Sequence, residues 1–296
     1  TSFQIQGKGL TVLADAASTS VWGFGVSGTT ASQPVVVEGL QVLSGGSVQL
    51  SSCLGSVTLR SVVCSSSAIT CELNAALCDQ VLLDHCWFRG NFGAAGSLSD
   101  CANVSMIDCK FLSTPYGDGL RSFGGGDLDL VDCELRGGTA VAPVFGYGLH
   151  MVGTPQVRLL GNTQVFAGIA GPGTLVQFAI GPQGTVRSAP AATIVGGVEP
   201  GVAFAATPEC ALRVTGGALG SSVTASLVGA PGAFAALQFG ELGTPISVPG
   251  FADAFWLQPA SSVFLAMGVP AAALTASVGV PVNPQLVGRT FGWQGL

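Results

Sequence analysis

The octapeptide VLLDHCWF at residues 81–88 decides the fold, because variants of it recur along the first half of the chain. The closest copy is VSMIDCKF at 104–111. Three more align without gaps: VVVEGLQV (35–42), VTLRSVVC (57–64) and LDLVDCEL (128–135), and a weaker sixth copy begins with VRL at 157. Successive copies start 22, 24, 23, 24 and 29 residues apart. A repeat of this length predicts a solenoid.

Each copy is apolar at its first, third, sixth and eighth positions, which predicts two short strands joined by a two-residue corner. Stacked parallel strands lie about 4.8 Å apart, so equivalent residues of successive coils pack on one another. The predicted inward columns are Val35/Val57/Val81/Val104/Leu128, Val37/Leu59/Leu83/Met106/Leu130 and Leu40/Val62/Cys86/Cys109/Cys133.

The Val-x-Leu-x-x-Cys-x-Phe pattern of residues 81–88 and 104–111 resembles the coils of the pectate-lyase-like superfamily. The resemblance covers roughly residues 3–190. It implies a right-handed parallel β-helix, which we assign to residues 1–190. Because that fold hosts lyases, hydrolases, adhesins and inert stalks, the resemblance does not select a function.

The second half of the chain has a different pattern. The period fades near residue 185, and short alternating segments follow, with glycine and proline turns such as Gly243–Pro245 between them. The predicted strands include 222–228, 236–239, 262–265 and 273–278. This spacing predicts a small antiparallel β-sandwich at 191–296, with its boundary between 185 and 212.

The last residues carry a second resemblance. The stretch from Asn283 to Leu296, with its Phe-Gly-Trp-Gln segment, and the earlier Trp256-Leu-Gln-Pro segment resemble the terminal module of secreted proteins from planctomycete-like bacteria. This resemblance covers about residues 211–296. It implies a secreted β-sandwich without catalytic residues.

The composition restricts partners and location. Charged residues are only 9% of 296 and the net charge is −6, which excludes nucleic acid as a partner. The uncharged stretch between Asp253 and Arg289 is interrupted by glycine and proline, so we expect strands there and no transmembrane helix. A chain that begins at Thr1 and carries nine cysteines favours a protein that is secreted, extracellular or on the cell surface.

The cysteines allow two interpretations. Stacked cysteines of neighbouring coils fall within the Cα separation that a disulfide tolerates, so we expect at least one disulfide. The candidates are Cys53, Cys64, Cys71, Cys78 and Cys101. The alternative, for the inward cysteines, is that they are small reduced apolar fillers of the core. No spacing typical of a metal site occurs among the cysteines.

One outward-facing column holds His85, Asp108 and Asp132 on consecutive coils, with Lys110 and Glu134 beside them. If the protein is an enzyme, these five residues are the candidate catalytic site of a polysaccharide lyase or hydrolase. Asp108 and Asp132 would then be the candidate ligands of Ca²⁺, the one cofactor that this hypothesis allows. The alternative is a solvated face with weak surface ion pairs.

The shortage of charge favours a non-catalytic structural subunit that binds copies of itself and forms a filament or surface layer. The ends of a β-helix are open sheet edges, and contacts that join them without closing produce filaments. The candidate assembly residues are Phe3, Ile5 and Trp293. The alternatives are a Ca²⁺-dependent polysaccharide lyase or hydrolase and a glycan-binding adhesin, both of which have extracellular polysaccharide as the partner.

Overall fold

A computed structural model describes most of the chain as two compact all-β units, Thr1–Thr207 and Pro208–Leu296. The described residues are 1–15, 18–43, 45–64, 71–90, 93–114, 116–139, 146–169, 178–206, 211–216, 220–228, 234–246, 255–258, 260–269, 273–283 and 291–295. Within these ranges, no helix has the length and apolar character needed to cross a membrane.

The first unit is a solenoid with three strands in each of its first five coils. These strands are β1 (Ser2–Gln6), β2 (Leu10–Leu13), β3 (Ser20–Val21), β4 (Gly23–Ser27), β5 (Val35–Glu38), β6 (Gln41–Val42), β7 (Ser47–Ser51), β8 (Val57–Arg60), β9 (Val63–Cys64), β10 (Glu72–Ala76), β11 (Gln80–Asp84), β12 (Trp87–Gly90), β13 (Gly96–Ser99), β14 (Asn103–Ile107) and β15 (Lys110–Ser113). The later coils contain β16 (Leu120–Val131), β17 (Glu134–Arg136), β18 (Leu149–Leu160), β19 (Gln164–Phe166), β20 (Ile180–Pro182), β21 (Gly184–Ser188), β22 (Thr193–Val195) and β23 (Val202–Ala206).

The strands form three parallel faces, because each strand of the first four coils pairs with the strand three positions along the chain. The 12-residue strands β16 and β18 each run across the first and second faces and join them into one 15-stranded sheet. The third face is a separate 8-stranded sheet from β3 to β22. The predicted parallel solenoid is confirmed at this level, but the sequence did not predict the fused strands.

The interior is built from the predicted columns. Val35, Val57, Val81, Val104 and Leu128 are register partners on successive coils. All fifteen predicted inward residues are buried. Burying one such side chain stabilises the fold by about 1.5–3 kcal/mol, so the repeated columns are its main source of stability.

Two corners of the coil turn through a residue with a left-handed backbone. Between the second and third faces these residues are Gly39, Ser61, His85, Asp108, Asp132 and Gly161, with φ from 48° to 71°. Between the first and second faces they are Gly7, Gly28, Ser52, Leu77, Asp100, Gly124 and Gly153. Glycine adopts this conformation freely, and aspartate and histidine adopt it more readily than most residues. The backbone therefore explains why these residue types form columns.

The expectation of a disulfide is wrong for Cys53, Cys78 and Cys101, which are free thiols. Cys71 is buried and has no disulfide to any of these three, and the side chain of Cys64 lies outside the described part of the structure. Six cysteines follow a left-handed corner residue directly, and each thiol donates to the carbonyl of the last residue of the preceding strand, at 3.3–3.7 Å. Stacking brings the cysteines close, but these hydrogen bonds direct their thiols at the backbone.

The second unit consists of two antiparallel sheets. Its strands are β24 (Ala211–Gly216), β25 (Ser222–Val228), β26 (Ala235–Ile246), β27 (Phe255–Leu257), β28 (Val263–Gly268), β29 (Leu274–Gly279) and β30 (Phe291–Gly295). One sheet has the order β24-β25-β29; in the other, β26 pairs with β27, β28 and β30. Strand β26 runs through Gly243–Pro245, so the turn predicted there is wrong.

Candidate functional site

The five residues predicted as a catalytic face lie at or next to the corner between the second and third faces. His85, Asp108 and Asp132 are the left-handed corner residues themselves. Lys110 begins β15 and Glu134 begins β17, and these two residues are register partners. The sequence placed all five on one side of the solenoid, and the structure does so too.

Their contacts divide them into separate groups. Nε2 of His85 lies 3.3 Å from Oδ2 of Asp108, and both side chains are more than half exposed. Nδ1 of His85 is also 2.5 Å from Oδ1 of Asp84, whose other oxygen lies 3.4 Å from Nε of Arg60. The result is a chain of polar contacts at the surface, each worth less than about 1 kcal/mol.

Glu134 forms the second group. Its carboxylate lies 3.7 Å from Nζ of Lys110 and 3.0 Å from Nη2 of Arg136. The guanidinium of Arg136 also lies 4.5 Å from the centre of the Phe166 ring. This cation–π contact holds the arginine over an apolar surface.

Asp132 makes different contacts. Its Oδ1 accepts hydrogen bonds from the backbone N–H of Asn162 at 2.7 Å and from Nδ2 of Asn162 at 3.2 Å. Across the described chain, no three His, Cys, Asp or Glu side chains are grouped in a way that could hold a metal ion. Asp132 therefore fixes the corner of the next coil.

A second polar network lies on the first face, and the sequence reasoning missed it. Asp118 sits just before β16, and its side chain is only 1% exposed. Its Oδ2 accepts hydrogen bonds from Nε of Arg121 at 2.6 Å and from Nδ1 of His150 at 2.8 Å, while Oδ1 accepts the backbone N–H of Tyr147 at 2.9 Å. Three donors thus satisfy one buried carboxylate.

Two aromatic rings pack beside His150. The Tyr147 ring centre lies 4.8 Å from that of the imidazole, and the Phe123 ring centre lies 6.2 Å away. The Tyr147 hydroxyl donates to Oε2 of Glu199 at 2.9 Å. The imidazole is therefore held by Asp118 at Nδ1 and packs against both rings.

The pKa values in this network follow from its contacts. Burial would raise the pKa of Asp118, but the hydrogen bonds from His150 and Arg121 outweigh it and hold that pKa below the ordinary value. Burial, together with the nearby Glu199 carboxylate, raises the pKa of Tyr147. Burial also raises the pKa of Glu72, against the attraction of Arg121. Asp118 is the fixed negative charge of the network.

A sequence signal for this network exists. The segment GDGLRSFG at 117–124 recurs as GYGLHMVG at 146–153, and the strands align Arg121 with His150. The copies are 29 residues apart instead of 22 to 24, because residues are inserted between them. Arg121 and His150 therefore stack one coil apart. A search for repeats at the shorter spacing does not align these two segments.

The assembly candidates contribute to the cores of their units. Ile5 is buried, and Phe3 stacks on Phe24 with ring centres 5.3 Å apart. Trp293 packs on Phe239, with ring centres 5.1 Å apart, beside the core of the second unit. Any contact of β1 with another chain would therefore use its backbone edge.

In the described part of the chain, the three strands of the first coil pair on one side only. Within the described residues, β1 pairs only with β4, β2 only with β5, and β3 only with β6. The amides of Leu10 and Ala14 donate inward to the second coil, so the alternation of the strand points the Thr11 amide outward. Leu10, Leu13 and Trp22 expose large apolar side chains on the same coil.

These observations define a parallel β-solenoid of three faces joined in sequence to an antiparallel β unit. No family model, no curated protein and no solved structure matches the chain.

Proposed function

We propose that this chain is an extracellular, non-catalytic structural subunit that associates with copies of itself into a filament or surface layer. The observation that carries the proposal is the one-sided pairing of the first coil: among the described residues, β1, β2 and β3 each have a single strand partner. Strands β1, β2 and β3 present unpaired backbone groups side by side. Unpaired strand edges are templates for pairing with another chain, and proteins usually protect them with charge or proline.

The composition of that edge supports the same function. Residues 2–6 (SFQIQ) and 10–13 (LTVL) contain no charged residue and no proline. The exposed leucines of β2 and Trp22 provide apolar contact beside the backbone groups. Contacts of this kind that repeat without closing extend into fibres or sheets.

The handedness of the coil and the β-sandwich in the second unit are also part of the proposal. We infer a right-handed coil, because connections between parallel strands of one sheet are right-handed in almost all proteins. The likeness to the pectate-lyase-like superfamily and to the planctomycete-like terminal module supports secretion and a β-sandwich in the second unit.

The alternatives have less support. A Ca²⁺-dependent lyase or hydrolase would require His85, Asp108, Lys110, Asp132 and Glu134 to act together, and their contacts divide them into three groups. A glycan-binding adhesin would need an exposed aromatic platform; Trp22 and Trp87 are partly exposed, but on different coils.

Electron microscopy of the natively purified chain tests the proposal. We expect fibres or sheets for the wild type and shorter assemblies for Thr11→Pro, which removes an outward amide without removing a hydrogen bond within the solenoid. Thr11→Val keeps the amide and is the matched control. Single particles of wild-type protein at high concentration would contradict the proposal.

A further inference from the structure

Strand β28 in the second unit exposes large apolar side chains along most of its length. Val263, Phe264, Leu265 and Met267 are 52%, 52%, 38% and 61% exposed. The strand lies at the edge of its sheet, since in the described part of the unit its only ladder is with β26. One side of its backbone therefore has no strand partner among the described residues.

Strand β29, which follows β28 in the chain, has a more polar exposed side. Strand β29 alternates between partly buried and exposed positions, and its exposed residues include Thr275 and Ser277. Thr224 of β25 and Ser277 join their hydroxyls at 2.7 Å on the surface of that sheet. A half-buried strand normally has this polar outer side, whereas an uninterrupted apolar run is typical of a strand covered on both sides.

The absence of charged residues along β28 favours a second copy of this chain as the partner of this edge. No ionisable residue occurs between Asp253 and Arg289, so the edge has neither a charge that attracts a charged peptide nor one that repels an identical strand. Two copies of β28 can pair antiparallel about a two-fold axis. With the axis at Leu265, Val263 of each copy lies opposite Met267 of the other, and apolar side chains meet across the pair.

We propose that β28 is a self-pairing edge that joins two copies of this chain through antiparallel β28–β28 contact. The proposal rests on the proposed function, which requires self-association, and it names a second contact besides the first coil. A subunit with one contact at each of two sites extends indefinitely, which a single two-fold contact cannot do.

Sedimentation velocity of the full-length chain tests this contact with a pair of opposite charges. The two-fold axis places residue 265 of each copy opposite its equivalent, so Leu265→Lys alone and Leu265→Glu alone each bring like charges together. We expect each variant to raise the dissociation constant of the β28 contact about 100-fold. An equimolar mixture should recover association, because the lysine then faces the glutamate. Val282→Lys, at an exposed residue outside the strands, is the matched control and should associate like the wild type.

The outcomes separate the two proposals. Association of Leu265→Lys at wild-type strength would overturn the β28 contact and leave self-association intact. Dissociation of both variants without recovery in the mixture would overturn a second copy as the occupant of this edge. A wild type that remains monomeric at every concentration would overturn the proposed function and, with it, the β28 contact.

Discussion

Asp118 and His150, 32 residues apart in sequence, are joined by a 2.8 Å hydrogen bond from Nδ1 to a buried carboxylate oxygen. Arg121 donates to the same oxygen, so one aspartate orders residues from two successive coils. The contact couples the loop before β16 to strand β18. Asp118 is the most buried carboxylate described in the solenoid.

Replacing this carboxylate should destabilise the protein in a pH-dependent way. We expect Asp118→Asn to lower the free energy of unfolding by about 2 kcal/mol at pH 7, because the hydrogen bonds to a charged acceptor are lost. The pKa of Asp118 is lowered by folding, so its contribution is present above the ordinary carboxyl pKa near 4 and is lost as the pH falls through the lowered value. Denaturation curves across pH measure this. A difference between wild type and variant that grew on acidification would contradict the assignment.

The corner column makes a different prediction for Asp108. If the left-handed backbone selects the residue type, Asp108→Asn and Asp108→Gly should change stability by less than about 0.5 kcal/mol. Asp108→Val should lower it by about 1–2 kcal/mol, because a branched side chain is strained at φ 48°. Chemical denaturation compares the three variants. Equal losses for asparagine and valine would show that the carboxylate, rather than the backbone, determines the residue.

Leu77 occupies a left-handed corner with φ 55°. It is also 59% exposed, so burial does not explain why a leucine stands there. Leu77→Asn should raise the free energy of unfolding by about 1 kcal/mol, because asparagine adopts this backbone with less strain. Leu54→Asn is the control, since Leu54 is also exposed and has an ordinary backbone. A gain of the same size in both variants would point to surface polarity as the cause.

The corner thiols should differ in reactivity. When the S–H of Cys78 turns from the Ala76 carbonyl to the Cys101 thiolate, it lowers the pKa of Cys101 to about 7. Cys78 carries a single S–H, so it stabilises one neighbouring thiolate at a time. Burial raises the pKa values of Cys86 and Cys109. Alkylation by iodoacetamide, read by peptide mass spectrometry, should therefore reach half its maximum at Cys101 near pH 7 and leave Cys86 and Cys109 unmodified. Uniform labelling of the three would contradict this order.

Much of the solenoid could be predicted from sequence because its interior repeats one simple pattern. Val81, Val104 and Leu128 begin copies of the same octapeptide, and the register aligns them. The role of the outward column with His85, Asp108 and Asp132 was harder to predict. His85 and Asp108 are residue types that suit both a catalytic site and a left-handed corner, and the sequence alone does not show the backbone angles of 53° and 48°.

Other features depend on contacts that no local pattern encodes. The repeat places Cys53 and Cys78 on neighbouring coils, which suggested a disulfide. The hydrogen bonds from their thiols to the carbonyls at the strand ends could not be predicted from the sequence. Asp118 is bound by Arg121 of its own coil and by His150 of the next, and His150 approaches it only when the coils stack. In the second unit, Gly243 and Pro245 resemble a turn, yet β26 continues through them because β27 pairs with this part of it.

The mass of the native particle tests self-association most directly. Sedimentation velocity of the natively purified wild-type chain, over a wide range of concentrations, should show species much heavier than the 29.5 kDa monomer that increase with concentration. A single species of monomer mass at every concentration, up to the millimolar range, would contradict self-association.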